Sequence, residues 1–254
     1  MSFNICFKGL LIVLIALFVT ACANNNSSKG SMSDEKMAEL NMQMGGRYLE
    51  MGMLKTAMEK LQNAEELDPN NAEVHNLLGV LYERLKKFQQ ASEQYQLANK
   101  LDFDNAGIKN NYGRFLCDRG DYQSGRALLL EALAMPLNNR KWFANTNIGR
   151  CEIRQGKQVI AEQYFRQALQ TNKSYAPALA EMQKISYRVG KYMSARAFSE
   201  RYLSVAKHTS ETLWYAVQTE RALGNKALVN QYRETLFTLF PLSNEAKQLK
   251  TAVQ

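Results

Sequence analysis

Histidine is nearly missing from this chain: His75 and His208 are the two in 254 residues. Proton transfer near neutral pH and zinc ligation both lean on that side chain. Neither histidine lies beside a cysteine or a carboxylate pair at metal-ligand spacing, and no Gly-rich phosphate loop or nucleophile elbow occurs. Neither an enzyme, a cofactor, a metal nor a small-molecule substrate is therefore expected. His75 falls at a large-apolar position and is expected to pack, and His208, in a polar His-Thr-Ser stretch, is expected on a solvated surface. Proline is scarce too, with four residues beside abundant Ala, Leu, Glu, Gln and Lys, which favours helices. An apolar share of 46% is enough for a sizeable core. The net charge of +8 admits nucleic acid, anionic lipid or acidic protein as partners without choosing among them.

Long apolar runs are also absent, apart from Leu10 to Val19, which follows Lys8 and leads into Thr20-Ala21-Cys22. A membrane span needs about 20 such residues, so residues 1–21 read as a signal peptide. Val19-Thr20-Ala21-Cys22 resembles a bacterial lipobox, which implies cleavage and lipidation at Cys22; the alternative is an uncleaved N-terminal anchor. Ala23 stands where inner-membrane lipoproteins of the enteric type carry Asp, and that resemblance implies the periplasmic face of the outer membrane. Residues 22–33 are polar and patternless, a tether with a reach of about 20 Å.

Self-comparison of the remaining chain, residues 34–254, gives a period of 34. Gly45, Gly79, Gly113 and Gly149 are spaced by 34, 34 and 36; Ala57, Ala91, Gly125 and Ala161 repeat those spacings, as do Ala64, Ala98, Ala132 and Ala168. These registers resemble positions 8, 20 and 27 of the tetratricopeptide pattern, where helices cross too closely for larger side chains. Tyr48, Leu61, Tyr82, Tyr95, Leu129 and Phe165 supply the bulk between them. Gly52, Gly120, Gly156, Gly190 and Gly224 suit the turn within each hairpin, and Pro69 and Pro241 end second helices. The expected fold is all-α: a right-handed superhelix of about six hairpins, at 38–71, 72–105, 106–141, 142–175, 176–209 and 210–243, closed by a C-terminal capping helix. The fifth and sixth repeats are degenerate, with Gln183 in place of the position-8 glycine.

Apart from Cys22, the cysteines of the expected mature chain are Cys117 and Cys151, on the first helices of consecutive repeats. A disulfide between them would persist in an oxidising periplasm; the alternative is two buried thiols. By resemblance to tetratricopeptide arrays, positions 2, 5, 9, 12 and 13 of each first helix line the concave face. In the early repeats this gives Met42, Gly46, Leu49, Asn76, Val80 and Asn110, an apolar half with amides able to hold a peptide. Further along it gives Arg114, Arg150, Arg154, Lys184, Arg188 and Arg221, a basic half. Packing against a folded-back N-terminal segment is the alternative for Met42 and Leu49, and a solvated face is the alternative for the cations. Nucleic acid is not expected at a periplasmic address. A carboxylate clamp would need Lys and Asn where Met42 and Gly46 stand.

The segments Asn110-Asn111-Tyr112-Gly113-Arg114-Phe115-Leu116-Cys117 and Ala144-Asn145-Thr146-Asn147-Ile148-Gly149-Arg150-Cys151, within a lipobox chain of this length, resemble the type IV pilus biogenesis and stability lipoproteins, the pilotins of the pilus secretin. The resemblance implies a protein partner, the secretin, bound at the outer membrane and helped to oligomerise. Period and lipobox by themselves fit a scaffold of outer-membrane barrel assembly or of peptidoglycan enzymes equally well. A periplasmic hydrolase is disfavoured by the missing acid-base set.

Overall fold

The computed structural model describes residues 33–251, and the regular structure there is entirely helical. The expected signal peptide, the expected lipidation site Cys22 and residues 23–32 of the expected tether lie outside the described residues. Six hairpins follow one another: α1 (Asp34–Glu50) with α2 (Leu54–Leu67), α3 (Ala72–Arg84) with α4 (Phe88–Leu101), and α5 (Ala106–Arg119) with α6 (Tyr122–Ala134). Then come α7 (Lys141–Arg154) with α8 (Gln158–Thr171), α9 (Ala176–Arg188) with α10 (Tyr192–Leu203), and α11 (Ser210–Ala222) with α12 (Lys226–Leu239). The single helix α13 (Asn244–Thr251) buries Ala246 and Leu249 against Leu213, Val217 and Leu236 and so covers the apolar end of the stack. Each second helix packs on the first helix of the next hairpin, which builds the repeats into a tetratricopeptide-type superhelix.

Local chemistry sets the helix ends. The side chain of Asn71 accepts from the backbone N–H groups of Glu73 and Val74, and Asn105 does the same for Gly107 and Ile108, so orphan donors at the starts of α3 and α5 are satisfied. Helix α1 begins at Asp34, ahead of the expected boundary at 38, because Ser33 caps it and Asp34 and Glu35 face its positive end. Within the hairpins the turn needs a left-handed residue. Gly52, Gly120, Gly156, Gly190 and Gly224 adopt φ between 74° and 93°, and the second hairpin holds Lys86 there at 60°. A side chain in that region costs about 1 kcal/mol.

The small-residue registers mark where helices touch. A Cβ added at Gly45 would sit 2.6 Å from Leu61, at Gly79 2.7 Å from Tyr95, and at Gly149 2.6 Å from Phe165. In the third hairpin the backbones themselves approach: a Cβ at Gly113 would come within 2.7 Å of the Gly125 carbonyl. Gly125 replaces the alanine of the other hairpins because Cys117 Sγ takes that space, 2.7 Å from where its Cβ would be. The fifth hairpin reverses the arrangement. Gln183 fills the glycine position, fully buried, and Ser199 replaces the large residue that faces it elsewhere. Bulk has moved from the second helix to the first, and Gln183 Nε2 uses its reach to donate to the Thr212 carbonyl of the next hairpin at 3.1 Å.

Two junctions carry the same buried ion pair. Arg126 on α6 donates to Glu152 on α7, Nε to Oε1 2.6 Å, and Arg196 on α10 pairs with Glu220 on α11, Nε to Oε1 2.8 Å. Both glutamates are almost fully buried, so each needs its arginine. The junction between hairpins three and four has a covalent link as well: Cys117 and Cys151 form a disulfide between α5 and α7, with Cα atoms 5.5 Å apart.

Candidate partner-binding groove

The first helices bring the candidate groove residues into two groups whose character differs from the sequence expectation. In the first group Leu49 is 3% exposed and belongs to the core with Leu61, Val74, Leu78 and Leu81, so it is unavailable to a ligand. The α1–α3 contact covers it: position 12 of the first repeat is closed once the next hairpin stacks. Met42 and Val80 are half-buried and pack against the same cluster. Gly46 lies beside Leu77, 3.6 Å from where its Cβ would be. The apolar half thus offers the outer faces of Met42 and Val80 around Gly46, a narrower patch than the sequence suggests.

The amides are organised further. Asn76 and Asn110 are buried, and two hydrogen bonds run between hairpins: Asn111 Nδ2 donates to Asn76 Oδ1 at 3.1 Å, and Asn147 Nδ2 donates to Asn110 Oδ1 at 3.1 Å. Buried polar contacts of this kind fix the register of neighbouring first helices.

The basic half is largely neutralised. Arg114 grips Glu83 with both terminal nitrogens, 2.7 and 2.6 Å, and reaches Asp118 at 3.0 Å. Arg154 Nε donates to Asp118 at 3.0 Å, Arg150 Nε to Glu181 at 2.9 Å, and Lys184 pairs with Glu211. Burial by itself would raise the Glu83 carboxyl, but the Arg114 hydrogen bonds and charge, the Tyr95 hydroxyl and Arg119 outweigh it and hold the group below its ordinary range. The expected basic half is therefore, in its larger part, a ladder of alternating charge across successive hairpins. Arg188 and Arg221 alone of the six form no ion pair among the described residues, and both are exposed.

Those two arginines flank aromatic residues that the sequence reading did not place in the groove. Tyr187 lies 6.1 Å from Trp214 and 5.6 Å from Tyr215, ring centre to ring centre, and Lys184 Nζ stands 5.9 Å over Tyr215. Tyr187 and Trp214 occupy groove positions 12 and 5 of their repeats, so the position rule already pointed to them. The C-terminal groove joins aromatic faces to free cations, whereas the N-terminal groove offers methionine, valine and amides.

The histidines divide. His75 is buried in the second hairpin, its ring nitrogens 2.6 Å from Gln94 Oε1 and 2.9 Å from the Pro69 carbonyl. His208 does not lie on a solvated surface, as its polar neighbours suggest. It sits between Tyr202 and Tyr232, with ring centroids at 6.4 and 5.6 Å, and burial lowers its pKa to about 4. The α10–α11 connection folds inward there because Tyr202, at the end of α10, donates to the Lys207 carbonyl at 3.0 Å.

Family models described as TPR repeat and tetratricopeptide repeat match residues 45–86 and 72–105. The type IV pilus assembly protein PilF of Pseudomonas aeruginosa is 25% identical over 246 residues, an alignment that spans 96% of this chain and 98% of PilF. A solved structure of Pseudomonas aeruginosa PilF superimposes with a TM-score of 0.73 and covers 87% of this chain and 100% of that one. The crystal structure of PilW, a widely conserved type IV pilus biogenesis factor, gives a TM-score of 0.72 at 28% identity and covers 84% of this chain and 97% of PilW. The likeness therefore extends over six hairpins and their order, well past the two repeats that family models find.

Proposed function

We propose that this chain is a type IV pilus biogenesis factor that acts as a lipid-anchored binder of the pilus secretin at the outer membrane and promotes its oligomerisation. The observation that carries this reading is likeness to PilF along nearly the full length of both chains; likeness limited to a few repeats would speak only of fold. The lipobox ending at Cys22 supports the membrane address, since two or more acyl chains anchor stably at about 0.8 kcal/mol per buried methylene. The groove supplies the grip. Lipid and groove acting together raise the effective concentration of a bound subunit at the membrane, where ring assembly takes place. The role is positional and involves no covalent step, which agrees with a surface built of paired charges, amides and aromatic rings.

The experiment is crosslinking in membranes with identification of the captured protein, together with scoring of secretin oligomers on denaturing gels in cells that carry the Cys22→Ala form. Capture of the secretin, and loss or misplacement of its oligomers in the variant, is the expected result. Capture of barrel-assembly subunits or cell-wall enzymes with secretin oligomers unchanged would overturn it and move the protein to the general scaffold class.

A further inference from the structure

Hairpins two, three and four line a half-open cavity of about 520 Å³ beside the connections α4–α5 and α6–α7. Its shape follows from the one irregular spacing in the repeats. The 36-residue step between Gly113 and Gly149 places a longer connection, Met135 to Arg140, opposite the short one from Asp102 to Asn105. That longer connection carries Leu137, 96% exposed, at the cavity rim, with Phe143 behind it.

The floor is made of amides. Asn111 donates to Asn76, and Asn76 Nδ2 in turn donates to Glu73 Oε1 at 3.2 Å. Asn110 is 2% exposed; its Oδ1 accepts from Asn147, and its Nδ2 has no hydrogen-bond partner among the described residues. An unmatched buried donor costs about 1–3 kcal/mol, and Asn110 is among the residues that line the cavity. The lining also includes Glu73, Asp102 and Asp104, with Arg140 as its lone cation among the described residues. None of the three carboxylates takes part in an ion pair among the described residues, although the chain as a whole carries +8. Burial chiefly, and then the nearby charges of Asp102 and Glu39, push Glu73 above its ordinary range against the lowering hydrogen bond from Asn76.

We propose that this cavity binds an extended peptide segment bearing a lysine or arginine. The Asn110 amide donates to a backbone carbonyl of the segment and Asn111 Oδ1 accepts a backbone N–H. The cationic head sits among Glu73, Asp102 and Asp104 while its methylene stem lies along Phe143 and Leu137. An amide floor that offers both a donor and an acceptor matches a peptide backbone, which a bare metal ion or a polyamine would leave unused. The assignment does not depend on the pilus reading.

The test is fluorescence anisotropy of the full chain in detergent micelles with a short labelled Ser/Ala peptide that has one central arginine, and with counterparts carrying glutamate or norleucine there. The arginine peptide is expected to bind saturably and about tenfold more tightly than the glutamate peptide, a difference of about 1.4 kcal/mol. Glu73→Gln with Asp104→Asn should remove that preference and leave norleucine binding in place. Asn110→Leu should weaken arginine and norleucine peptides alike, with its melting temperature recorded alongside. Equal binding of arginine and glutamate peptides, no saturable binding, or an unchanged preference in the Glu73→Gln/Asp104→Asn form would overturn the proposal. Secretin capture is read separately, so failure here leaves the pilus reading standing.

Discussion

Hairpins three and four and hairpins five and six solve one packing problem in two ways. In the former pair, glycines at 113, 125 and 149 let backbones and large side chains close on each other, and a disulfide locks the first helices together. In the latter pair, Gln183 faces Ser199, and the next hairpin is reached through the Gln183–Thr212 bond and the Arg196–Glu220 pair. The comparison teaches that the repeat position conserves the sum of two side chains at a crossing and leaves open which helix carries the bulk. Both junctions hold a buried glutamate with an arginine, Arg126–Glu152 in one and Arg196–Glu220 in the other, so what separates them is the disulfide of the first and the Gln183–Thr212 bond of the second. Stability in a stacked array is a sum over neighbours, so each junction is separately breakable.

The largest expected effect is on the covalent junction. Replacing Cys117 and Cys151 by alanine removes a link across 34 residues, worth about 4 kcal/mol by loop entropy. Hydrogen exchange should speed up in α5 and α7 first, with α11 and α12 little changed; uniform acceleration along the chain would mean that the junctions are not independent.

A smaller effect should come from moving the fifth hairpin's solution into the fourth. Gly149→Gln drives a side chain into Phe165 and should cost about 3 kcal/mol. Adding Phe165→Ser should recover at least about half of that in a double-mutant cycle read by denaturant unfolding. Additive losses would show that the reversed bulk of Gln183 and Ser199 is incidental.

The effect that is smallest at neutral pH separates the junctions by acid titration. His208 titrates near 4 in the folded chain against an ordinary value of 6.5, so the unfolded chain binds the extra proton between those values. Its contribution to stability is complete above pH 6.5 and is lost as pH falls toward 4. Exchange in α10–α12 should therefore accelerate over that window in the natural chain, and less so in His208→Phe, while α5 and α7 stay protected. Equal acid sensitivity in both forms would remove His208 as the cause.

Much of this was legible in residue spacing. A 34-residue period with three small-residue registers carries the hairpins, the turn glycines and the stacking order, because a close crossing opposite a large side chain leaves room only for a small residue. Even the degenerate fifth repeat could be read, since Ser199 stands at the position of Leu61, Tyr95, Leu129 and Phe165 and signals the exchange with Gln183. The groove was less legible. Position rules identified which residues face inward in a single repeat, and could not say that Leu49 is covered by the next hairpin or that Arg114, Arg150, Arg154 and Lys184 meet carboxylates from neighbouring repeats. His208 was misplaced for the same reason, since its burial comes from Tyr202 and Tyr232, residues of two different helices.

The sequence by itself determined the repeat, the hairpin boundaries and the candidate lipid signal, because these depend on local chemistry and a fixed period. Tertiary structure alone decided which groove charges remain free, which buried donor is left unmatched at Asn110, and where the longer third connection opens a cavity. Those properties arise between hairpins, where side chains far apart in the chain compete for the same partners, and no spacing within one repeat encodes the outcome.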